Sequence, residues 1–152
     1  MSKPICVFTD GSAIGNPGPG GWAAVLVQNG KRREISGSSP WTTVSEMELR
    51  AAVEALRSIP MGPKVELRSD SQLLIQGMQF RVFRWRNSGW CNSRGTPLQY
   101  QQLWRELLVL TESISVRWCW IRGHNGHPIQ TRADELAYQE ARNQPGGQKI
   151  AA

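Results

Sequence analysis

The order of its apolar runs constrains this chain most: three strand-like segments joined by turn signals, then helix and strand in alternation. Residues 5–9 are a short apolar run ending in Asp10-Gly11, a turn signal. The following GSAIGNPGPGG reads as a loop, too rich in Gly and Pro for a regular element. Residues 22–28 and 31–38 are two further strands around an Asn29-Gly30 hairpin turn. Thr43 and Glu46 have capping-box spacing and open a helix over 44–59 that Pro60 closes. A buried strand over 65–69 precedes a helix starting near Ser71. The Arg/Trp-rich stretch up to Thr96 then reads as a short helix and an irregular excursion. A helix over 98–112, a strand over 116–121, the loop RGHNGHP and a helix from Thr131 to Arg142 complete the pattern. This pattern predicts an α/β fold: a mixed five-stranded sheet, three antiparallel strands plus two parallel, flanked by helices. At 152 residues the chain is expected to be one domain over 1–142, with a flexible tail over 143–152.

Composition excludes several classes. With its 15 glycines counted, the apolar share is that of an ordinary globular protein. No apolar run approaches the roughly 18 residues that span a bilayer, and the start MSKPICVFTDG lacks a signal-peptide core. Cys6, Cys91 and Cys119 are widely spaced and odd in number, which argues against a disulfide framework. A cytoplasmic protein, monomeric and without a membrane partner, is expected. Eighteen Lys+Arg against 12 Asp+Glu leave a net charge of +6, which favours a polyanionic partner. From Ser71 to Arg105 there is no acid, while Arg81, Arg84, Arg86, Arg94 and Arg105 alternate with Phe80, Phe83, Trp85 and Trp90. Guanidinium groups beside aromatic faces suit phosphates together with sugars or bases.

The chain's only three aspartates, Asp10, Asp70 and Asp134, fall at element ends: after the first strand, after the fourth, and in the first turn of the last helix. Singly, each has a structural use in a turn, an N-cap or a helix dipole. Together they lie where open α/β sheets bind ligands, at the carboxyl ends of strands. Glu48 is harder to excuse. It shares a helical stripe with Ala52, Ala55 and Ile59, and an unpaired carboxylate on that core-facing side is costly. A buried Arg partner would be the structural alternative, but Arg50 and Arg57 lie on other faces. Clustered carboxylates repel unless a cation lies between them, and all-oxygen ligands suit Mg²⁺ or Mn²⁺. The GNPGPGG loop lacks the GK[ST] of a phosphate loop, GSAIG is no nucleophile elbow, and no CxxC supports zinc. His124 could reach the acidic pocket and move protons near neutral pH, whereas His127, beside Pro128, reads as a turn histidine.

TDGSAIGNPGPGGW, TTVSEMELRAAVEAL, RSDSQLLIQG and RGHNGHPIQTRADELA closely resemble ribonuclease H type 1, in order and at the family's spacing. The resemblance runs from Ile5 to Arg142. It implies the ribonuclease H-like fold and a metal-dependent endonuclease that cuts the RNA strand of RNA–DNA hybrids, leaving a 5′-phosphate and a 3′-hydroxyl. By resemblance, Asp10, Glu48, Asp70 and Asp134 are the metal-binding carboxylates of two-ion catalysis with Mg²⁺, for which Mn²⁺ substitutes. Asp10 would bridge both ions, with Glu48 and Asp70 on the first and Asp134 on the second. His124 matches a loop histidine that assists proton transfer or product release. Asn16 and Gln72 match groove contacts, Gly11 and Ser12 lie where backbone reads RNA, and Thr43 matches a holder of a DNA phosphate. The basic protrusion over about 80–97 would bind DNA through Arg81, Arg84, Arg86, Trp85 and Trp90, with Trp85 packing on a sugar. Three positions depart from the family: Val44-Ser45 replaces a frequent Asn pair, Arg81 a common aromatic and Gln130 a frequent Asn. Ser45 keeps a hydroxyl for a base edge and Arg81 adds attraction for phosphate. All three departures are expected to alter substrate grip rather than chemistry.

Overall fold

The computed structural model describes residues 3–123 and 126–145. Its strands β1 (Ile5–Ala13), β2 (Gly18–Gln28), β3 (Lys31–Thr42), β4 (Lys64–Ser69) and β5 (Ser115–Trp120) form one sheet in the order β3-β2-β1-β4-β5. β1, β2 and β3 pair antiparallel, while β4 and β5 extend the sheet in parallel from β1. The expected mixed sheet is therefore the observed one. Successive strand residues face opposite sides. Val7, Ala24, Leu26 and Leu67 join the larger core with α1 (Val44–Arg57) and α4 (Gln101–Ser113). Phe8 and Val25 meet Ala133 of α5 (Pro128–Asn143) on the other face.

The glycine-rich stretch is not a loop. Residues 11–13 continue β1 and 18–21 begin β2, with Ser12 opposite Gly21 and Ala13 opposite Gly20. Only 14–17 turn, through a cis Asn16-Pro17 bond. The glycines here serve close contact. A Cβ on Gly21 would lie 2.3 Å from the carbonyl oxygen of Ala137. This lets the fully buried stripe Ala133, Ala137 and Ala141 seat α5 directly on the sheet. β3 likewise runs past the expected residue 38 to Thr42, which pairs with Gly18.

Helix boundaries differ for local reasons. Thr43 caps α1 by accepting from Glu46 N, but Glu46 takes the Thr42 hydroxyl instead of completing the capping box. α1 ends at Arg57, with Ser58 as its cap, before Pro60 disfavours helix at the residue preceding it. After Ser71, α2 (Gln72–Gln76), a π turn (Gly77–Arg81) and α3 (Val82–Asn87) form a continuous helical run, and the expected irregular excursion follows it from Ser88. Gly77 admits the ring of Trp104: a Cβ there would lie 2.3 Å from Trp104 Cη2. α4 starts at Gln101 rather than 98, after Tyr100 at φ 63°. α5 starts at Pro128, three residues before Thr131, because Pro suits the first helical position and His127 caps it. Asp134 therefore lies beyond the first turn of α5. Asn143 ends α5, and Gln144 Nε2 donates to Ser38 Oγ at 2.6 Å, so the expected tail is held at its start. Residues 146–152 lie outside the described residues. Among the described residues, no helix is long and apolar enough to cross a membrane.

Seating α5 on Gly21 makes that position intolerant of a methyl group. Gly21→Ala is expected to cost about 1–3 kcal/mol in urea unfolding. Gly30→Asn, at a left-handed turn (φ 76°) with no neighbour within 4 Å, meets only backbone strain, which Asn tolerates best, and is expected to cost less than about 1 kcal/mol. Equal stabilities for the two variants would contradict the close-contact reading.

Candidate active site

Asp10 does not end a strand, as the Asp-Gly turn signal suggested; it lies inside β1 at a fork in the sheet. Parallel pairing with β4 stops at Phe8 opposite Arg68, whereas antiparallel pairing with β2 continues through Asp10 to Ala13. Asp70 follows the last residue of β4, so the two aspartates meet where β1 and β4 part. Glu48 comes in from α1 because that helix touches the strand: a Cβ on Gly11 would lie 2.5 Å from the backbone N of Glu48. Ala52 and Ala55 are fully buried and Ile59 nearly so, confirming the core-facing stripe that carries Glu48. Neither nearby arginine compensates it, since Arg50 pairs with Glu54, and Arg57 with Glu54 and Glu106.

Asp10, Glu48 and Asp70 each offer a carboxylate oxygen within 4.8 Å of the others, and all three are half-buried. Asp134 stands apart from this trio but hydrogen-bonds to the Asp10 side chain. Burial, above all, pushes the Asp10 carboxyl up to about 10; the Asp134 hydrogen bond and the charges of Asp134, Asp70 and Glu48 add to it. Burial also raises Glu48 to about 7, with the Asp70 charge adding to the rise and a hydrogen bond from Ser71 opposing it. The set is oxygen-only and under mutual repulsion, which suits a hard divalent cation.

Other expected site residues are distributed unevenly around this cluster. Asn16 and Thr43 meet at the start of α1, where Asn16 Oδ1 accepts from Val44 N at 3.1 Å and the Thr43 hydroxyl bonds to Tyr100 OH. Gly11 and Ser12 lie on the β1 overhang, Ser45 is half-buried in the first turn of α1, and Gln72 is exposed at the start of α2. Arg81, Arg84, Arg86 and Arg94 are all exposed. Trp90 is not available as a contact: it is 8% exposed, sits in the main core and has Arg105 over its ring. Trp85 is half-buried, tilted against Trp104 at 4.8 Å. The rings this helical run presents are Phe80, 70% exposed, and Phe83, 50% exposed. His127 caps α5, its Nδ1 accepting from Ile129 N, and stacks on Phe8. His124 lies outside the described residues.

Sequence reasoning missed several supports. Ser71 both caps α2 and reaches Glu48, Trp120 Nε1 donates to the Asp70 carbonyl at 3.1 Å, and Tyr100 meets Thr43. Only Ser71, adjacent to Asp70, carried a signal in the sequence. Gln130 is a correction: it is 4% exposed and faces Thr9 and Asp134, so it does not grip substrate.

The family described as RNase H matches residues 2–142. Ribonuclease H of Aeromonas salmonicida (strain A449) is 43% identical over 141 residues, covering 93% of this chain and 92% of that protein. Ribonuclease HI of Caulobacter vibrioides is 40% identical over 142 residues, covering 93% and 95%. Among solved structures, LC9-RNase H1, a type 1 RNase H with the type 2 active-site motif, aligns with TM-score 0.84 at 31% identity, covering 96% of this chain and 75% of that one. LC11-RNase H1, solved in complex with an RNA/DNA hybrid, shares the fold with TM-score 0.72 at 22% identity, covering 97% and 99%.

A carboxyl raised in the folded state binds more protons folded than unfolded, so stability falls as pH rises between the two pKa values. For Glu48 that window runs from its ordinary 4.5 to about 7, and Asp10 extends it to about 10. Without divalent cation, Asp10→Asn is expected to raise Tm at pH 8 by roughly 3–10 °C. The gain should shrink towards pH 4. Equal Tm values at pH 8 would contradict the electrostatic reading.

Proposed function

The chain belongs to the ribonuclease H family, and we propose that Asp10, Glu48, Asp70 and Asp134 are its catalytic carboxylates and hold divalent cations. Its activity is endonucleolytic hydrolysis of the RNA strand of an RNA–DNA hybrid. The observation that carries the site assignment is the half-buried trio Asp10, Glu48 and Asp70, with oxygens within 4.8 Å of one another. Two Mg²⁺ ions suit this donor set, and Mn²⁺ would substitute. Bound there, such ions supply a water activated for attack and a counter-charge for the leaving 3′ oxygen.

The protein's own residues position the reacting strand. Asp10, at the fork, lies within reach of Glu48 and Asp70 and hydrogen-bonds with Asp134. Ser71 holds the Glu48 carboxylate, which in this reading also orients an RNA 2′-hydroxyl. Beyond Phe8, no strand among the described residues covers the β4-facing edge of β1, which supports the main chain of Gly11 and Ser12 as a reader of the RNA backbone. Gln72, next to Asp70, and Ser45 extend that contact into the groove. Asn16 and Thr43, gathered at the N-terminus of α1, suit a phosphate of the DNA strand. Arg81, Arg84, Arg86 and Arg94 add phosphate contacts, with Trp85 and the exposed Phe80 and Phe83 offering ring faces. His124 is the proposed proton carrier, since the Nδ1 of His127 is committed to its cap.

The direct test uses an end-labelled RNA–DNA hybrid beside RNA–RNA and DNA–DNA duplexes, in Mg²⁺ or EDTA. Cleavage confined to the RNA of the hybrid and lost in EDTA is expected. Cleavage that persists in EDTA, or that extends to DNA–DNA, would contradict the proposal. Phe80→Ala is expected to raise KM for the hybrid about five- to a hundredfold with little change in kcat; an unchanged KM would remove the ring from the contact surface.

A further inference from the structure

Gln130 sits in α5 one turn before Asp134 and is 4% exposed. Its Nε2 donates to the carbonyl of Thr9 at 3.2 Å and to Asp134 Oδ1 at 3.4 Å. Thr9 is the residue before Asp10 on β1, so one amide ties the backbone beside the first carboxylate to the carboxylate that α5 brings in. The other end of the amide is idle: Gln130 Oε1 is buried without a hydrogen-bond partner. Burying an unsatisfied acceptor is unfavourable, and an apolar side chain of similar shape would fill the space without that penalty. The amide is thus held for its two donors. Its contact with Asp134 supplies no positive charge, so it orients the carboxylate without neutralising it and leaves cation binding open.

We infer that Gln130 is a positioning residue that orients the Asp134 carboxylate against β1 for cation binding. This inference rests on the reading of the carboxylates as cation ligands. Partners of metal-ligating groups typically alter metal affinity 10–100-fold when removed. Gln130 therefore governs how much Mg²⁺ the enzyme needs, and not how tightly it holds the hybrid.

The test is calorimetric titration of the full chain with Mg²⁺ in the absence of nucleic acid, paired with cleavage kinetics across Mg²⁺ concentration. Gln130→Met keeps length and removes both donors. It is expected to weaken Mg²⁺ binding at least about tenfold and to raise the Mg²⁺ needed for half-maximal cleavage by a similar factor. KM for the hybrid should stay within about twofold, and excess Mg²⁺ should restore kcat. Gln130→Asn, which keeps the amide, should recover part of the lost affinity. Gln130→Leu, likewise without donors or charge, guards against a folding failure of the methionine variant and is expected to weaken Mg²⁺ binding by a similar factor. Wild-type Mg²⁺ titrations in Gln130→Met and Gln130→Leu, with only Tm lowered, would make the residue structural and overturn the inference. A raised KM at unchanged Mg²⁺ dependence would overturn it in favour of substrate contact. Wild-type protein that binds no Mg²⁺ at all would overturn the cation reading beneath it.

Discussion

Two backbone-to-backbone contacts, at Gly11 and Gly21, hold the rest of the structure in place. At Gly11, β1 touches the start of the Glu48 peptide unit, and at Gly21, β2 touches the Ala137 carbonyl of α5. The two glycines lie one pair apart in the β1–β2 register, where Gly11 opposes Trp22 and Ser12 opposes Gly21. Helices on opposite faces of the sheet are therefore pressed against one end of one hairpin. Their separation is set by main-chain contact rather than by adjustable side chains, so Glu48 and Asp134 arrive beside Asp10 with little freedom.

That arrangement opposes stability. Four acids are gathered at the fork where β1 and β4 part, and burial disfavours the charged forms of Asp10 and Glu48. The surroundings offset the cost only in part. Ser71 favours the ionised Glu48, and Gln130 donates to Asp134. Arg50 and Arg57 are tied to Glu54, while Arg81, Arg84, Arg86 and Arg94 are exposed on the 81–94 surface. In the proposed reading, the protein separates two kinds of counter-charge for its substrate: divalent cations for the reacting phosphate, and exposed arginines for the phosphates beside it.

The mixed sheet, with three antiparallel strands and two parallel ones, and the approximate places of the helices were legible because hydrophobic period, turn residues and the succession of elements report them. The acids were legible because a carboxylate on the stripe Glu48, Ala52, Ala55 and Ile59 conflicts with burial unless it has a task. Less legible were features that depend on contact across the chain. Gly20 and Gly21 look like loop residues until α5 and Thr42 are packed against them, so 11–13 and 18–21 were misread as irregular. Trp90 and Phe80 have similar local surroundings in the sequence, and only the packing of α4 shows that the first is core and the second is surface. Gln130 looked like a substrate contact because its partners, Thr9 and Asp134, approach it from another element and from the next turn of its own helix.

The central claim is that this cluster is held partly protonated until a divalent cation replaces the protons. Calorimetric titration of the wild-type protein with Mg²⁺ at pH 7, in two buffers of different ionisation enthalpy, tests it directly. Release of about one proton or more per protein is predicted, because Asp10 and Glu48 must ionise to bind. Binding heats that are the same in both buffers would mean the carboxylates are already ionised, and would contradict the account.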